Sequence, residues 1–142
     1  MIEIRQPRVV DAMAIAELLE SLGYSDTASF IDERIMQLLS HPDEELLVAI
    51  DGDRIIGIIS LHFIPQLALA GDFCRISYFC VSETARGAGV GAMMEERAVK
   101  IAREHNSDRI EVHCNSRRVD AHRFYFRQGY GESPKYLLKK LA

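Results

Sequence analysis

Between residues 81 and 91 the chain reads Val81-Ser82-Glu83-Thr84-Ala85-Arg86-Gly87-Ala88-Gly89-Val90-Gly91. Three glycines within five residues let the backbone approach a ligand closely. A helix beginning just after them would present unpaired N–H groups at the positive end of its dipole. The combination suits a phosphate or pyrophosphate, with Arg86 as a fixed cation at the mouth. The plain alternative is a glycine-rich turn that only packs a strand tightly against a helix. Two familiar phosphate motifs do not fit. The GxxxxGK[ST] loop needs lysine where Ala92 follows Gly91, and the dinucleotide fingerprint needs GxGxxG after the first strand of a βαβ unit, whereas this GxGxG run lies past the midpoint.

A second group of residues could move protons. Tyr125 sits in the run Ala121-His122-Arg123-Phe124-Tyr125-Phe126-Arg127-Gln128-Gly129-Tyr130, and without further context it reads as a core aromatic beside Phe124 and Phe126. His62, Tyr78, Glu111 and His113 are candidate bases, each with a structural or surface role as the simpler reading. Cys114 beside His113 does not make a nucleophile–base pair, because adjacent residues of a strand point to opposite faces. Cys74, Cys80 and Cys114 form an odd set without CxxC spacing and read as free, largely buried thiols. No HxxxH pair or carboxylate cluster marks a metal site.

The elements that must hold these residues follow from periodicity. Ile2, Glu3 and Ile4 alternate as a strand that Pro7 ends, and Ala12, Ile15, Ala16, Leu19 and Leu22 share one helical face up to Gly23. Ile31, Ile35, Leu38 and Leu39 mark a second helix, starting near Asp26 and closed by His41-Pro42. Residues 46–50 and 54–63 are β-branched runs flanking Asp51-Gly52-Asp53, a strong hairpin signal. Residues 73–81 form a further strand, after an apolar loop (Leu67, Ala68, Leu69, Ala70) suited to line a pocket or a subunit contact. A long helix spans 89–105, with Val90, Met93, Met94, Ile101 and Ala102 facing the core. Then come a strand at 109–114, a short helix at 120–127 and a last strand at 136–141. The order β-α-α-β-β-β-α-β-α-β predicts a mixed, mostly antiparallel α/β sheet flanked by helices, with a β–helix–β crossover late in the chain.

Composition bounds the rest. The chain has 142 residues, 48% apolar and 27% charged, which is the size of one domain over 1–142. No stretch approaches the ~20 apolar residues of a membrane span, and the opening Met1-Ile2-Glu3-Ile4-Arg5 has no signal-peptide pattern, so a cytosolic protein is expected. The net charge of −4 hides an asymmetry: residues 1–74 carry four basic and thirteen acidic side chains, a balance of −9, and residues 75–142 carry thirteen and eight, a balance of +5. That division argues against bulk nucleic-acid binding and leaves room for a local polyanion site in the second half.

Arg86-x-x-Gly89-x-Gly91 after a strand ending in Val81 resembles the acetyl-CoA signature (Q/R)xxGx(G/A) of the GNAT superfamily of N-acetyltransferases. The Ala121 to Tyr130 block is similar to that superfamily's A-x-x-F-Y-x-x-x-G-F/Y segment, and Ile4-Arg5 with Asp11 resembles its first strand and helix start. Arg117-Arg118-Val119-Asp120 continuing into that block, with Leu61-His62-Phe63 and the glycine loop, looks most similar to aminoalkylphosphonate acetyltransferases within the superfamily. Those enzymes carry acidic residues in the fourth strand, where this chain has Arg75 and Tyr78.

The resemblance implies specific roles. Arg86 and the backbone N–H groups of Gly87, Ala88, Gly89, Val90 and Gly91 would hold the pyrophosphate of acetyl-CoA as co-substrate. Phe79 and Val81 would pair through their backbone with the pantetheine arm, inserted where the sheet splays between the fourth and fifth strands. Tyr125 matches the general acid; a phenol, with a reference pKa of about 10, can protonate a basic thiolate as an amine attacks the thioester directly. Many members place an asparagine three residues before the alanine of the second block. Here Arg118 stands there and Asn115 takes the role, with Arg117 and Arg118 as further candidates for the coenzyme phosphates. The acceptor alkylammonium, near pKa 10.4, must lose a proton to one of the four candidate bases or to water.

The expected function is acetyl transfer to a primary amine of a small molecule. A protein or peptide acetyltransferase and a non-catalytic acyl-CoA-binding module are the alternatives. The −9 half contains the first two helices, which should shape the acceptor side, and this favours a cationic amine over an anionic phosphonate. Homodimerisation is a family-level expectation, with loop 67–70 and the last strand as contact surfaces.

Overall fold

The computed structural model describes residues 1–113, 119–133 and 136–142. Its centre is built by two near-continuous apolar runs, β2 (Glu44–Asp51) and β3 (Arg54–Ile64), joined at Gly52 and Asp53 into an antiparallel hairpin. Val48, Ala49, Ile59 and Leu61 are completely buried, as expected for strands covered on both faces. β1 (Ile2–Arg5) pairs antiparallel with β2, and β4 (Phe73–Val81) antiparallel with β3. β5 (Arg109–Val112) joins β4 in parallel, so the strand order is β1-β2-β3-β4-β5.

Each face of the sheet is covered by its own helices. α1 (Ala12–Ser21) and α2 (Ile31–Ser40) bury Ile15, Leu18, Ile31 and Ile35 against Leu46, Val48, Ile58 and Cys80. On the opposite face α3 (Val90–Glu104) buries Val90, Met94, Ala98 and Ala102 over Ile59, Leu61, Phe63, Cys74 and Ile76. α4 (Val119–Arg127) follows β5 and brings Tyr125 to the edge of that second core. Asp11 ties the start of α1 to β1: its Oδ2 accepts from Arg5 Nη1 at 2.9 Å and from the Arg8 N–H at 2.8 Å. Burial raises the Asp11 pKa, but these donors prevail and hold it below the ordinary carboxylate value.

Three expectations need correction. Residues 136–141 form no strand; Leu137 and Leu141 are exposed, and no ladder joins the segment to β5. Tyr136, Leu137 and Leu138 have strand propensity but lack the alternation that would bury one face, and propensity without a packed partner does not make a strand. Met93 points outward, because the buried face of α3 runs through Val90, Met94 and Ala98. The predicted 109–114 strand has its ladder only over Arg109–Val112, and Cys114 lies outside the described residues. The other two cysteines, Cys74 and Cys80, are free and buried.

The ladder between β4 and β5 is pinned at one end. Asp108 N–H donates to the Asp72 carbonyl at 2.8 Å, and the Ser107 hydroxyl donates to the Asp72 carboxylate. Gly71 lies so close to this loop that a Cβ there would meet the Asn106 carbonyl oxygen at 2.6 Å and the Asp108 nitrogen at 2.8 Å. Because the obstacles are backbone atoms, Gly71→Ala should destabilise the fold by about 1–3 kcal/mol, the usual cost of overpacking. Urea unfolding should show a lower midpoint with unchanged slope; an unchanged midpoint would contradict this packing.

Candidate active site

β4 and β5 part company inside the sheet. Their ladder ends at Ile76 and Val112, while β4 continues through residues 77–81 without β5 beside it. The parting coincides with a bulge: Ser60 pairs with Tyr78 and Leu61 with Ile76, so Ser77 has no partner on β3 and β4 bends there. Ser82 N–H donates to the Ile56 carbonyl at 2.7 Å, which sets the phase of the antiparallel ladder beyond the bulge. Hydrogen-bonded pairs alternate with non-bonded ones, so Cys80 and Tyr78 spend their backbone groups on β3. Phe79 and Val81 therefore turn their N–H and C=O groups to the edge along which, among the described residues, no strand pairs.

The glycine loop lies at the end of that edge. Gly87 and Gly89 adopt φ of +86° and +79°, left-handed values that a side chain would strain. The first helical hydrogen bond of α3 is Met93 N–H to the Gly89 carbonyl, 3.1 Å. Hence, among the described residues, the amides of Gly87, Gly89, Val90, Gly91 and Ala92 have no backbone acceptor, as at any helix start. Ala88 differs, since its N–H donates to the Ala85 carbonyl at 3.3 Å. Arg86 stands beside these amides and, among the described residues, forms no ion pair.

These pieces line one cavity of about 800 Å³. Phe79 and Val81 form one wall, Arg86 and the glycine loop another, and α4 with the residue after it supplies Asp120, Ala121, Phe124, Tyr125, Arg127 and Gln128. Of these, Ala121, Phe124, Tyr125 and Gln128 follow the i, i+3, i+4, i+7 spacing of a helical face. Gly91 allows the two helices to meet closely: a Cβ there would lie 3.1 Å from Cε1 of Phe124. Tyr125 is held by edge contacts to Phe124 and Tyr130, each at 5.3 Å between ring centroids, and to Phe79 at 6.4 Å. Of the residues expected at the site, only Ala88 is missing from the cavity lining, and Asn115, Arg117 and Arg118 lie outside the described residues.

The candidate bases sit on the other side of the sheet. Glu44, His62, Arg75 and Glu111 are direct cross-strand partners and form a row across β2, β3, β4 and β5. Arg75 Nε donates to Glu111 Oε1 at 2.8 Å, and His62 Nδ1 lies 2.6 Å from Glu44 Oε1. Glu111 is thus committed to a guanidinium, and His62 to a carboxyl group whose pKa burial raises against the opposing pull of His62 and His41. Tyr78 meets Tyr24 edge-on at 5.3 Å; burial, with Tyr24 adding to it, pushes the Tyr78 phenol above its ordinary pKa. His113 stacks on Tyr136 at 4.3 Å. Among the described residues no three His, Cys, Asp or Glu side chains gather as a metal ion would need.

Sequence reasoning missed Leu22, Cys80, Asp120, Arg127 and Gln128, which also line the cavity. The helical spacing of 121, 124, 125 and 128 could have shown the face of α4. Nothing local marks Leu22, which reaches the cavity from the end of α1.

The architecture is a mixed sheet that opens beside a glycine-capped helix. The Acetyltransferase (GNAT) family model matches residues 12–130, so the chain belongs to that family and is an acetyltransferase of the GNAT type. It is 33% identical over 119 residues to the aminoalkylphosphonate N-acetyltransferase of Salmonella typhimurium, covering 84% of this chain and 75% of the relative. Its fold is similar to a transcriptional regulator from Bacillus halodurans (TM-score 0.90, 22% identity, 99% of this chain and 100% of that one). The glucosamine-6-phosphate N-acetyltransferase of Arabidopsis thaliana is also similar (TM-score 0.87, 19% identity, 100% and 99%). Among the described residues no helix is long and apolar enough to cross a membrane.

Burial raises the phenol pKa of Tyr130 as well, with the Glu95 carboxylate beside it adding to the effect. Tyr78 and Tyr130 should therefore be late-ionising tyrosines in a near-ultraviolet absorbance titration. Tyr78→Phe and Tyr130→Phe should each remove part of that late fraction; loss of amplitude near the ordinary value of about 10 would contradict the assignment.

Proposed function

We propose that the chain, acting as one domain over residues 1–142, transfers an acetyl group from acetyl-CoA to the primary amine of a small molecule by direct attack. The observation that carries this reading is the single cavity joining the open edge of β4, the amides of the glycine loop and Tyr125. The site fits the co-substrate by its own chemistry: among the described residues, helix-start amides without a backbone acceptor and the Arg86 guanidinium without an ion pair suit a pyrophosphate, and a strand edge that no described strand covers suits an amide-containing arm. When bound, acetyl-CoA supplies the acetyl thioester and those anionic and amide handles.

The residues then divide the work. Arg86 and the amides of Gly87, Gly89, Val90 and Gly91 neutralise and orient the pyrophosphate. Ala88, whose N–H is engaged by Ala85, contributes to the shape of the loop rather than a donor. Phe79 and Val81 align the arm through backbone hydrogen bonds, and Asn115 is retained as a further contact. As the amine nitrogen bonds to the acetyl carbon and the C–S bond breaks, Tyr125 Oη gives its proton to the departing sulfur, and the proton lost by the amine passes through water and restores the phenol, so no acyl-enzyme forms. Tyr78, a phenol with an ordinary pKa of about 10 that burial raises further, is protonated at physiological pH and serves as a hydrogen-bond donor.

The relative's name supports a small-molecule acceptor, and aminoalkylphosphonates head the panel to be tested beside diamines and amino acids. Thiol release from acetyl-CoA should appear with at least one small amine. Tyr125→Phe should lower kcat by about 10²–10⁴-fold, the usual worth of a general acid. Arg86→Ala should weaken acetyl-CoA binding by roughly tenfold, the loss of one charge-assisted contact. Tight acetyl-CoA binding with no thiol release over small amines and peptides would identify a binding module instead.

A further inference from the structure

We propose that Glu95 and Tyr130 form a buried latch that fixes Tyr125 against the helix carrying the glycine loop, making Glu95 a positioning residue for acetyl transfer. The inference rests on the reading of Tyr125 as proton donor.

Glu95 lies on α3 facing the core and is only 6% exposed. Glutamate is almost never buried unless paired, and its partner is specific: the Tyr130 hydroxyl donates to Glu95 Oε2 at 3.3 Å. Burial raises the carboxyl pKa while the Tyr130 hydrogen bond opposes the rise. Tyr130 is in turn bound to Tyr125 twice. Its N–H donates to the Tyr125 carbonyl at 3.0 Å, and its ring meets the Tyr125 ring edge-on at 5.3 Å. The Glu95 to Tyr130 bond therefore ends at the backbone and the ring of Tyr125.

The latch has a second contact one helical turn away. Gly91, four residues before Glu95 on α3, meets Phe124, the neighbour of Tyr125 on α4. α3 is thus tied to the chain on both sides of Tyr125, by apolar contact with Phe124 on α4 and by the hydrogen bond to Tyr130 just after α4. An apolar side chain at position 95 would fill the space, but it would not fix the direction in which Tyr130 approaches. Since the amides at the start of the same helix would hold the pyrophosphate, the latch sets the distance from that anchor to the Tyr125 hydroxyl.

The test compares Glu95→Leu with Glu95→Gln, which keeps an acceptor for Tyr130. Glu95→Leu removes a buried carboxyl but leaves the Tyr130 hydroxyl without its acceptor, so its melting temperature should change little or fall by a few degrees. Amide exchange at residues 128–130 of the unliganded protein should nevertheless quicken at least severalfold, while Glu95→Gln stays close to wild type. In the acetyl-transfer assay Glu95→Leu should lose roughly tenfold or more in kcat, within the ~10²-fold that a 1 Å misplacement can cost, with KM for acetyl-CoA unchanged. Wild-type exchange and kcat in Glu95→Leu would overturn the proposal, as would equal losses in the two variants. Absence of any acetyl transfer by the wild type would contradict the functional reading instead, and the exchange comparison would still decide whether the latch exists.

Discussion

The site depends on one event in the sheet, the separation of β4 from β5 after Ile76. A strand edge buried without partners would be costly, because each unpaired backbone group loses the hydrogen bonds it would make with water. Here the edge opens into a cavity. The bulge at Ser77 turns β4 aside, and the phase set by Ser82 and Ile56 makes Phe79 and Val81 the residues that face the gap. α3 begins where the gap ends, so the strand edge and the free amides of the glycine loop form one continuous polar surface. α4 closes the other side, and Tyr125 is the chemical group it delivers.

Much of this was legible in the residues. Runs such as 46–50 and 54–63 are long, β-branched and interrupted only at Gly52, so burial on both faces is their simplest outcome, and the strands formed within a few residues of the expected bounds. The glycine spacing indicated a loop that leads into a helix, and Gly87 and Gly89 do adopt left-handed backbone. The bulge at Ser77 left no trace, because serine in a strand carries no signal for a missing partner. Neither did the Glu95–Tyr130 contact, which joins α3 to the segment that follows α4. The segment 136–141 shows the converse failure, where residues with strand propensity meet no partner to pair with.

The charge asymmetry gains a spatial meaning. The basic half supplies Arg86 and Arg127 to the cavity. The opposite face of the sheet carries the row Glu44, His62, Arg75 and Glu111, drawn from both halves, in which Glu44 contacts His62 and Arg75 pairs with Glu111. On the same face Tyr24 and Tyr78 meet edge-on and are both exposed.

The central claim is that the open edge and the glycine loop receive one ligand together. Residue-resolved amide hydrogen exchange of the wild-type protein, with and without acetyl-CoA, tests it most directly. Slower exchange on binding at Phe79, Val81 and the amides of Gly87, Gly89, Val90 and Gly91, with Tyr78 and Cys80 unchanged because β3 already protects them, is the predicted pattern. Protection confined to the glycine loop, or spread equally over residues 78–81, would contradict it.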